Sequence, residues 1–172
     1  SAVHKALEIA DNGLPDLLRP MIAETLQEIT TLTERIARIE ATLAVLTRSD
    51  PVVQRLLELP GVGLLGASAL RAAVGDIQRF PTGRHLASWL GLTAREHSSA
   101  ETRRLGRISK QGDTYLRTLL VHGARSALCA AARAHSQGRP LDRLRLWALA
   151  TEQRRGRNKA TVALANKLAR II

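Results

Sequence analysis

Between Ile22 and Leu46 the chain repeats its apolar residues at a spacing that no strand can use. Ile22, Leu26, Ile29, Leu32, Ile36, Ile39, Leu43 and Leu46 are separated by intervals of 4, 3, 3, 4, 3, 4 and 3 residues. A strand would scatter these side chains over two faces, whereas a helix lines them up along one narrow seam. The two successive intervals of three near Leu32 are a slip that overwinds a supercoil locally. Glu24, Glu28, Glu34, Arg35, Arg38 and Glu40 fill the flanks. The pattern predicts a long helix after Pro20. Its seam pairs with another chain or packs back on its own domain, and the spacing favours the first, a homo-oligomer through residues 22–46. Only Phe80, Trp89, Tyr115 and Trp147 are aromatic among 172 residues, so a core must come from Leu, Ile, Val and Ala. Ala and Leu favour helix and β-branched runs are scarce. The expected fold class is all-α, a long coiled-coil-type helix followed by a compact helical domain.

Local stop and start signals divide the rest. Residues 2–11 have helical spacing and Asn12-Gly13 ends them. Asp50-Pro51 is an N-cap followed by a first-turn proline, opening a short helix "VVQRLLEL". In "LPGVGLLGASALRAAVGD", Pro60 ends that helix, Gly61 and Gly63 permit a tight hairpin at positive φ, and Leu64 to Val74 starts another helix at once. This spacing, with Ala67 and Leu70 on the packing face, resembles the helix-hairpin-helix motif of DNA-binding proteins over about residues 52–74. The resemblance implies that backbone N–H groups at Gly61, Gly63 and Leu64 hold a DNA phosphate without reading sequence. Anion affinity at a helix N-terminus supplies a mechanism; a helix corner with no ligand is the alternative. Thr82 caps "GRHLASWLGL" and Gly91 stops it. Gly112-Asp113 opens "TYLRTLLVHGARSALCAAARAH", so rich in Ala that it is expected to be the central, buried helix. Gly138-Arg139-Pro140 breaks it, and two helices follow, "LDRLRLWALATEQ" and "KATVALANKLARII", around the basic turn "RRGRN". No segment alternates convincingly as a strand. The expected organisation is a helical segment for assembly at 1–50 and a helical domain at 51–172, with a serine-containing basic loop at 94–112.

Twenty-six Lys and Arg against fifteen Asp and Glu leave a net charge of +11. Arg forks grip phosphate through paired hydrogen bonds, so a polyanion is the expected partner. With few aromatic platforms for unpaired bases, contacts to the backbone of duplex DNA fit better. The single Cys129 excludes an internal disulfide and a cysteine-rich zinc site, and within "SALCAAA" it reads as a small buried hydrophobe. No stretch approaches a membrane span and no signal peptide is visible, so the expected compartment is the cytoplasm. The opening "SAVHKALEIA" lacks Met, and the chain is expected to be a piece of something longer.

The loop "AREHSSAETRRLGRISKQGDTYLR" sets Ser98, Ser99 and Ser109 among Arg95, Arg103, Arg104, Arg107, Lys110 and Arg117, with only Glu96, Glu101 and Asp113 as acids. A serine hydroxyl attacks nothing unaided; it needs a base, a metal or strong stabilisation of the developing charge. His97 adjoins Ser98, but chain neighbours rarely form a triad, and there is no Gly-x-Ser-x-Gly elbow. Phosphoryl transfer suits the loop better, because clustered guanidiniums offset the charge that builds on a pentacovalent phosphorus. The three acids are too few and scattered for a two-metal site. Binding of phosphate and serine attack on phosphate both stay open from these residues alone.

Taken together, "LPGVG", "FPTGRHLASWLGLT", "HSS" and "GRISKQGDTYLRTLL" resemble the C-terminal transposase domain of the Piv-like insertion-sequence transposases, DNA recombinases guided by a bridge RNA. The resemblance covers about residues 52–172, and the preceding helix sits where that family has a coiled one. It implies a split active site. An N-terminal RNase H-like domain, absent here, supplies four acidic residues that hold Mg2+, and the C-terminal domain supplies a serine that becomes linked to DNA. The family serine matches Ser99, followed by Ala100 where the family has glycine; Ser98 and Ser109 are the runners-up. Arg95, Arg103, Arg104, Arg107, Lys110 and Arg117 then hold phosphates. Arg154, Arg155, Arg157 and Lys159 form a further nucleic-acid contact or a solvated helix end. The implied function is the DNA-binding and catalytic-serine module of an insertion-sequence transposase, inactive in isolation, with duplex DNA, a guide RNA and further copies of itself as partners, associated with a bacterial nucleoid. No metal ligand or cofactor is expected in this chain, Mg2+ belonging to the missing domain. The alternative function is a non-catalytic helix-hairpin-helix module that grips duplex DNA.

Overall fold

Residues 13–99, 102 and 104–172 are described by the computed structural model. The helix expected over residues 2–11 lies outside them. The chain divides between Leu46 and Thr47 into two compact units.

The first unit is carried by helix α1, Leu18–Thr47. It begins before Pro20, because a proline in the first turn lacks only an N–H that has no helical partner there. Thr25, Thr30, Thr31, Thr33 and Thr42 each donate their hydroxyl to the carbonyl four residues back, at 2.7–3.0 Å. No residue of α1 is buried. Ile29, Leu32, Ile36 and Ile39 of the predicted seam stand exposed.

The second unit is helical, with one small hairpin. Helix α2, Pro51–Leu57, is capped by Asp50, whose carboxylate accepts from the Val52 and Val53 N–H groups. A turn through Gly61 leads to α3, Leu64–Val74. A single 3-10 turn, Ile77–Arg79, precedes α4, Gly83–Trp89. Thr82 stands at the N-cap of α4, but its hydroxyl is paired with His85 Nδ1 at 2.9 Å and caps no backbone N–H. Strands β1, Ala94–Glu96, and β2, Leu105–Ile108, then pair antiparallel. This corrects the expectation of a strandless loop at 94–112. Ala94 faces Ile108 and Glu96 faces Leu105, so β2 carries one residue more than β1 and bulges. Helix α5, Thr114–Ser136, starts at Asp113, whose carboxylate accepts from Leu116 N–H at 2.9 Å. Helices α6, Arg143–Arg155, and α7, Arg157–Ile171, meet at Gly156.

Helix α5 was expected to be the central, buried element. It buries one face, Leu116, Leu120, Ala124, Ala127, Leu128 and Ala131, while Ala130 and Ala132 face out. The hub is α7, which packs against α4, α5 and α6. It buries Ala160, Thr161, Leu164, Ala165, Leu168 and Ala169. Small residues let three helices approach one, and Leu86, Leu90, Leu92, Leu116 and Leu128 fill the space between. Trp89 and Phe80 meet at the edge of this core, ring centroids 5.5 Å apart. Cys129 is half-buried rather than buried, its sulfur 2.7 Å from Arg157 Nη2.

Candidate functional site

The serine hairpin leaves the core between α4 and α5. Gly91 ends α4 at φ +69°, a left-handed stop that a side chain resists. Its carbonyl accepts from Lys110 N–H at 3.0 Å, and the Thr93 carbonyl accepts from Ser109 N–H at 2.8 Å. Further out, His97 N–H donates to the Arg104 carbonyl, and Ser99 and Thr102 exchange both backbone hydrogen bonds at 3.2 and 2.9 Å. Ser99 is therefore set at the far end of the hairpin, exposed to solvent.

The three candidate serines separate by what holds them. Ser98 Oγ donates to Glu96 Oε1 at 2.7 Å and accepts from Arg104 N–H at 3.2 Å, so its hydroxyl ties the two strands. Ser109 lies half-buried at the base, its N–H and carbonyl both engaged, the carbonyl by Arg95 Nη2 at 3.1 Å. No hydrogen bond reaches the Ser99 hydroxyl among the described residues. Ala100, Glu101 and Arg103 lie outside those residues, so the place of Arg103 is not described.

The predicted phosphate-binding cations do not form one cluster. Arg95 and Arg104 stand exposed on the hairpin. Arg117 is turned inward, its guanidinium donating to the Leu90 carbonyl and to Thr114 Oγ1, each at 3.1 Å. Arg157 is turned toward Cys129, and Arg154 Nε reaches the Ala150 carbonyl at 3.4 Å. Arg155 is exposed at the end of α6. Arg107, Lys110 and Lys159 line a separate groove beside α7, together with Lys167 and Arg170, which the sequence reading passed over. A spacing of three and four residues along 159, 162, 163, 166, 167 and 170 marks that face in the sequence.

At the α2–α3 turn, Gly61 takes φ +89° as expected, but Gly63 does not. Gly63 is extended, φ −90° and ψ 178°, and serves as the N-cap of α3 without a capping side chain. Two things fix Gly61: it follows Pro60 in a turn closed by the Val62 N–H on the Leu59 carbonyl at 3.0 Å, where glycine takes positive φ, and α5 passes close by. A side chain on it would meet the Gly123 carbonyl oxygen of α5 at 2.3 Å. Gly63 faces open space. A shallow cleft of about 490 Å³ opens beside it, lined by Leu65, Gly66, Leu119, His122 and Ser126.

Among the described residues one ionisable group, Asp50, is displaced from its ordinary value. The Arg71 guanidinium, 3.0 Å from Asp50 Oδ2, lowers the Asp50 carboxyl below its ordinary 3.8, helped by the N–H groups of Val52 and Val53. Among the described residues no three His, Cys, Asp or Glu side chains gather as metal ligands. No described helix is long and apolar enough to cross a membrane.

The fold and its surface define a basic helical domain that presents a serine on a cation-rich hairpin. Residues 53–139 match the family described as the IS116/IS110/IS902 family of transposases, and the chain belongs to that family. It is 46% identical over 160 residues to a Pseudomonas aeruginosa protein named "Probable family 20 transposase", covering 92% of this chain and 45% of that protein. It is 39% identical over 160 residues to the transposase for insertion sequence element IS1111A of Coxiella burnetii, covering 93% and 42% of the two. With the transposase for insertion sequence element IS1328 of Yersinia enterocolitica it shares 35% identity over 161 residues, 94% and 46%. The chain thus spans less than half the length of these relatives.

Proposed function

We propose that this chain is the DNA-binding and serine-bearing part of a transposase, and that Ser99 is the nucleophile. The observation that carries this is the contrast among the three hydroxyls. The Ser98 hydroxyl is spent on Glu96 and Arg104, and Ser109, whose hydroxyl has no hydrogen bond among the described residues, is half-buried in the hairpin base. Ser99, its backbone paired with Thr102, stands exposed at the tip with no hydrogen bond to its hydroxyl among the described residues.

In the proposed step, Ser99 Oγ forms a bond to a DNA phosphorus and the bond from phosphorus to one deoxyribose oxygen breaks. The serine proton passes to a carboxylate base and the departing oxygen takes up a proton. The phosphoserine diester keeps the energy of the original linkage, so attack by a deoxyribose hydroxyl restores a DNA strand and frees the serine. Arg104, and by sequence order Arg103, are assigned to offset the charge on the phosphorus oxygens, while Arg95 is held at the hairpin base by the Ser109 carbonyl. The base and the Mg2+ ligands are assigned, from the resemblance, to sequence beyond these 172 residues. The resemblance also supports a guide RNA partner and nucleoid association, and the exposed seam of α1 supports pairing with a second copy.

The test is an adduct assay in an active transposase that carries this segment. Ser99→Ala is expected to abolish the protein–DNA band on a denaturing gel, with Ser98→Ala and Ser109→Ala retaining it. An adduct that survives Ser99→Ala refutes the assignment; loss only in Ser98→Ala moves it to the serine that Glu96 already holds at 2.7 Å.

A second function, a non-catalytic module gripping duplex DNA through the α2–α3 turn, is favoured by one observation: the first turn of α3 has no side-chain cap and opens at an exposed Gly63. An intact adduct in all three serine variants, together with duplex affinity that falls steeply with salt, is the result that selects it.

A further inference from the structure

We infer that the groove between β2 and α7 binds one unpaired strand of nucleic acid, at a place distinct from the serine tip and the α2–α3 turn. The inference rests on the nucleic-acid function proposed above.

The groove encloses about 940 Å³. Its cations are Arg107 and Lys110 from the hairpin side and Lys159, Lys167 and Arg170 from α7, and among the described residues no acidic one lines it. Five positive charges facing one cleft without a compensating carboxylate repel each other, and an anionic occupant relieves that repulsion. The charge therefore selects a polyanion. Apolar residues also line it, Ile108, Val162 and Ala163, with the buried Leu92 beneath. A duplex is a wide cylinder that shows a cleft only phosphates and sugars, so it leaves that apolar surface wet. A single strand can place phosphates on the rim and lay its sugars and base edges on this aliphatic floor; with Trp147 the one aromatic there and Lys167 over its ring, base stacking contributes little and the preference comes from the width of the cleft's occupant.

Two further observations fit a built groove. The Lys167 ammonium lies 3.9 Å over the Trp147 ring, also part of the lining. The ring holds that cation in place, so less side-chain freedom is lost when a phosphate arrives. Lys110 is the one residue other than glycine at positive φ among the described residues, +55°. A side chain resists this left-handed conformation, and a lysine there is a poor choice for folding. Such strain persists at sites where the side chain has a task. Asn would suit the backbone better, so the choice of lysine points to its charge.

The expected behaviour follows from counterion release. At about 0.1 M salt each phosphate contact with a single strand contributes roughly fivefold in affinity and about 0.7 to the log–log salt slope. The test measures binding of the 172-residue chain to a fluorescein-labelled 15-nucleotide thymidylate and to a 15-base-pair duplex, by anisotropy across a salt series. Arg107→Gln with Lys159→Gln is expected to weaken strand binding roughly 25-fold and to lower the slope by about 1.4. Lys110→Asn is expected to lose about fivefold while melting no lower than the parent, which separates lost contact from lost folding. Arg125→Gln with Arg133→Gln, the same charge change on the exposed face of α5, is expected to cost much less. Equal losses in the two double variants, or duplex affinity falling as far as strand affinity, overturn the inference. So does strand affinity indifferent to every groove variant while an acidic amphipathic peptide binds the parent and not Arg107→Gln with Lys159→Gln; the occupant is then a protein. A chain that binds strand and duplex with a steep salt dependence, yet ignores the groove variants, defeats this inference alone. One that binds neither defeats the DNA-binding function as well.

Discussion

Gly123→Ala tests the packing of the second unit with a single methyl group. In an exposed helix interior this change stabilises, because Ala is favoured over Gly by about 1 kcal/mol. Here the added carbon would sit 1.8 Å from the Gly61 carbonyl oxygen and 2.9 Å from its carbon. Ordinary carbon–oxygen contact begins near about 3.2 Å, so the α2–α3 turn and α5 must separate by more than an ångström. The neighbour is backbone, which no rotamer change can move aside. Overpacking of this kind costs about 1–3 kcal/mol and sometimes more, and rigid backbone on both sides puts this case at the upper end. After the propensity gain is subtracted, a net loss of about 2 kcal/mol remains. For a unit of this size that lowers Tm by roughly 6–8 °C. The comparison is Gly66→Ala in α3, where an added carbon meets only Val62 Cγ1 at 3.9 Å. That variant is expected to gain a few tenths to about 1 kcal/mol. Circular dichroism melts and urea titrations of both variants and the parent give the result. Equal or higher stability for Gly123→Ala would show that the Gly61–Gly123 approach does not set the separation of these elements, and the account of the turn would fail with it.

Two further outcomes are expected. Because Arg71 lowers the Asp50 carboxyl, its contribution is complete above the ordinary value of 3.8 and is lost as pH falls through the folded value. Asp50→Asn should flatten the stability–pH curve of the chain below about pH 4, and an unchanged acid slope would contradict the Asp50–Arg71 link. If α1 pairs with a second copy, Ile36→Glu should dissociate the assembly in sedimentation velocity runs. Exposing one isoleucine per chain forfeits about 1.5–3 kcal/mol on each side, more than a hundredfold in the dissociation constant; a parent chain that sediments as a monomer defeats this expectation.

The helix boundaries were legible where they depend on neighbouring residues. Asp50-Pro51, Asp113 and Gly91 act through hydrogen bonds or φ values set within a few positions, and the structure places each at the expected end. Features set by distant partners were not. The positive φ of Gly61 follows locally from Pro60-Gly61 at the centre of a turn closed by the Val62 N–H on the Leu59 carbonyl, but its close approach to Gly123 of α5 could not be read from neighbouring residues. The hairpin escaped because β1 is three residues long and exposed throughout, so no burial alternates along it. The Ala content of α5, with apolar residues on most faces, suggested a central, buried helix, yet Ala favours helix equally well in water. The residue types of the serine site could be read in order along the chain. The difference between its hydroxyls could not, since it depends on Arg104 crossing from the opposite strand to Ser98.

How the fold holds the hairpin bears on what the hairpin can do. Its two ends are fastened by backbone contacts that leave little play. Gly112, at φ +125°, passes so close to α4 that a side chain on it would meet the Trp89 carbonyl oxygen at 1.9 Å. One on Gly91 would meet the Gln111 carbonyl oxygen at 2.3 Å. Arg117 of α5 donates to the Leu90 carbonyl, and Asn166 of α7 donates to the Leu92 carbonyl at 3.0 Å. Arg117, expected to meet a phosphate, thus anchors the arm that carries the serine. A nucleophile must be held within about 3–3.5 Å of its phosphorus, and error at the root of an arm is magnified at its tip. Three helices fix the root, while the tip, free of the core, is left accessible for the proposed attack on DNA. A serine needed only to bridge two strands would have no use for that arrangement beyond Ser98, which already does so.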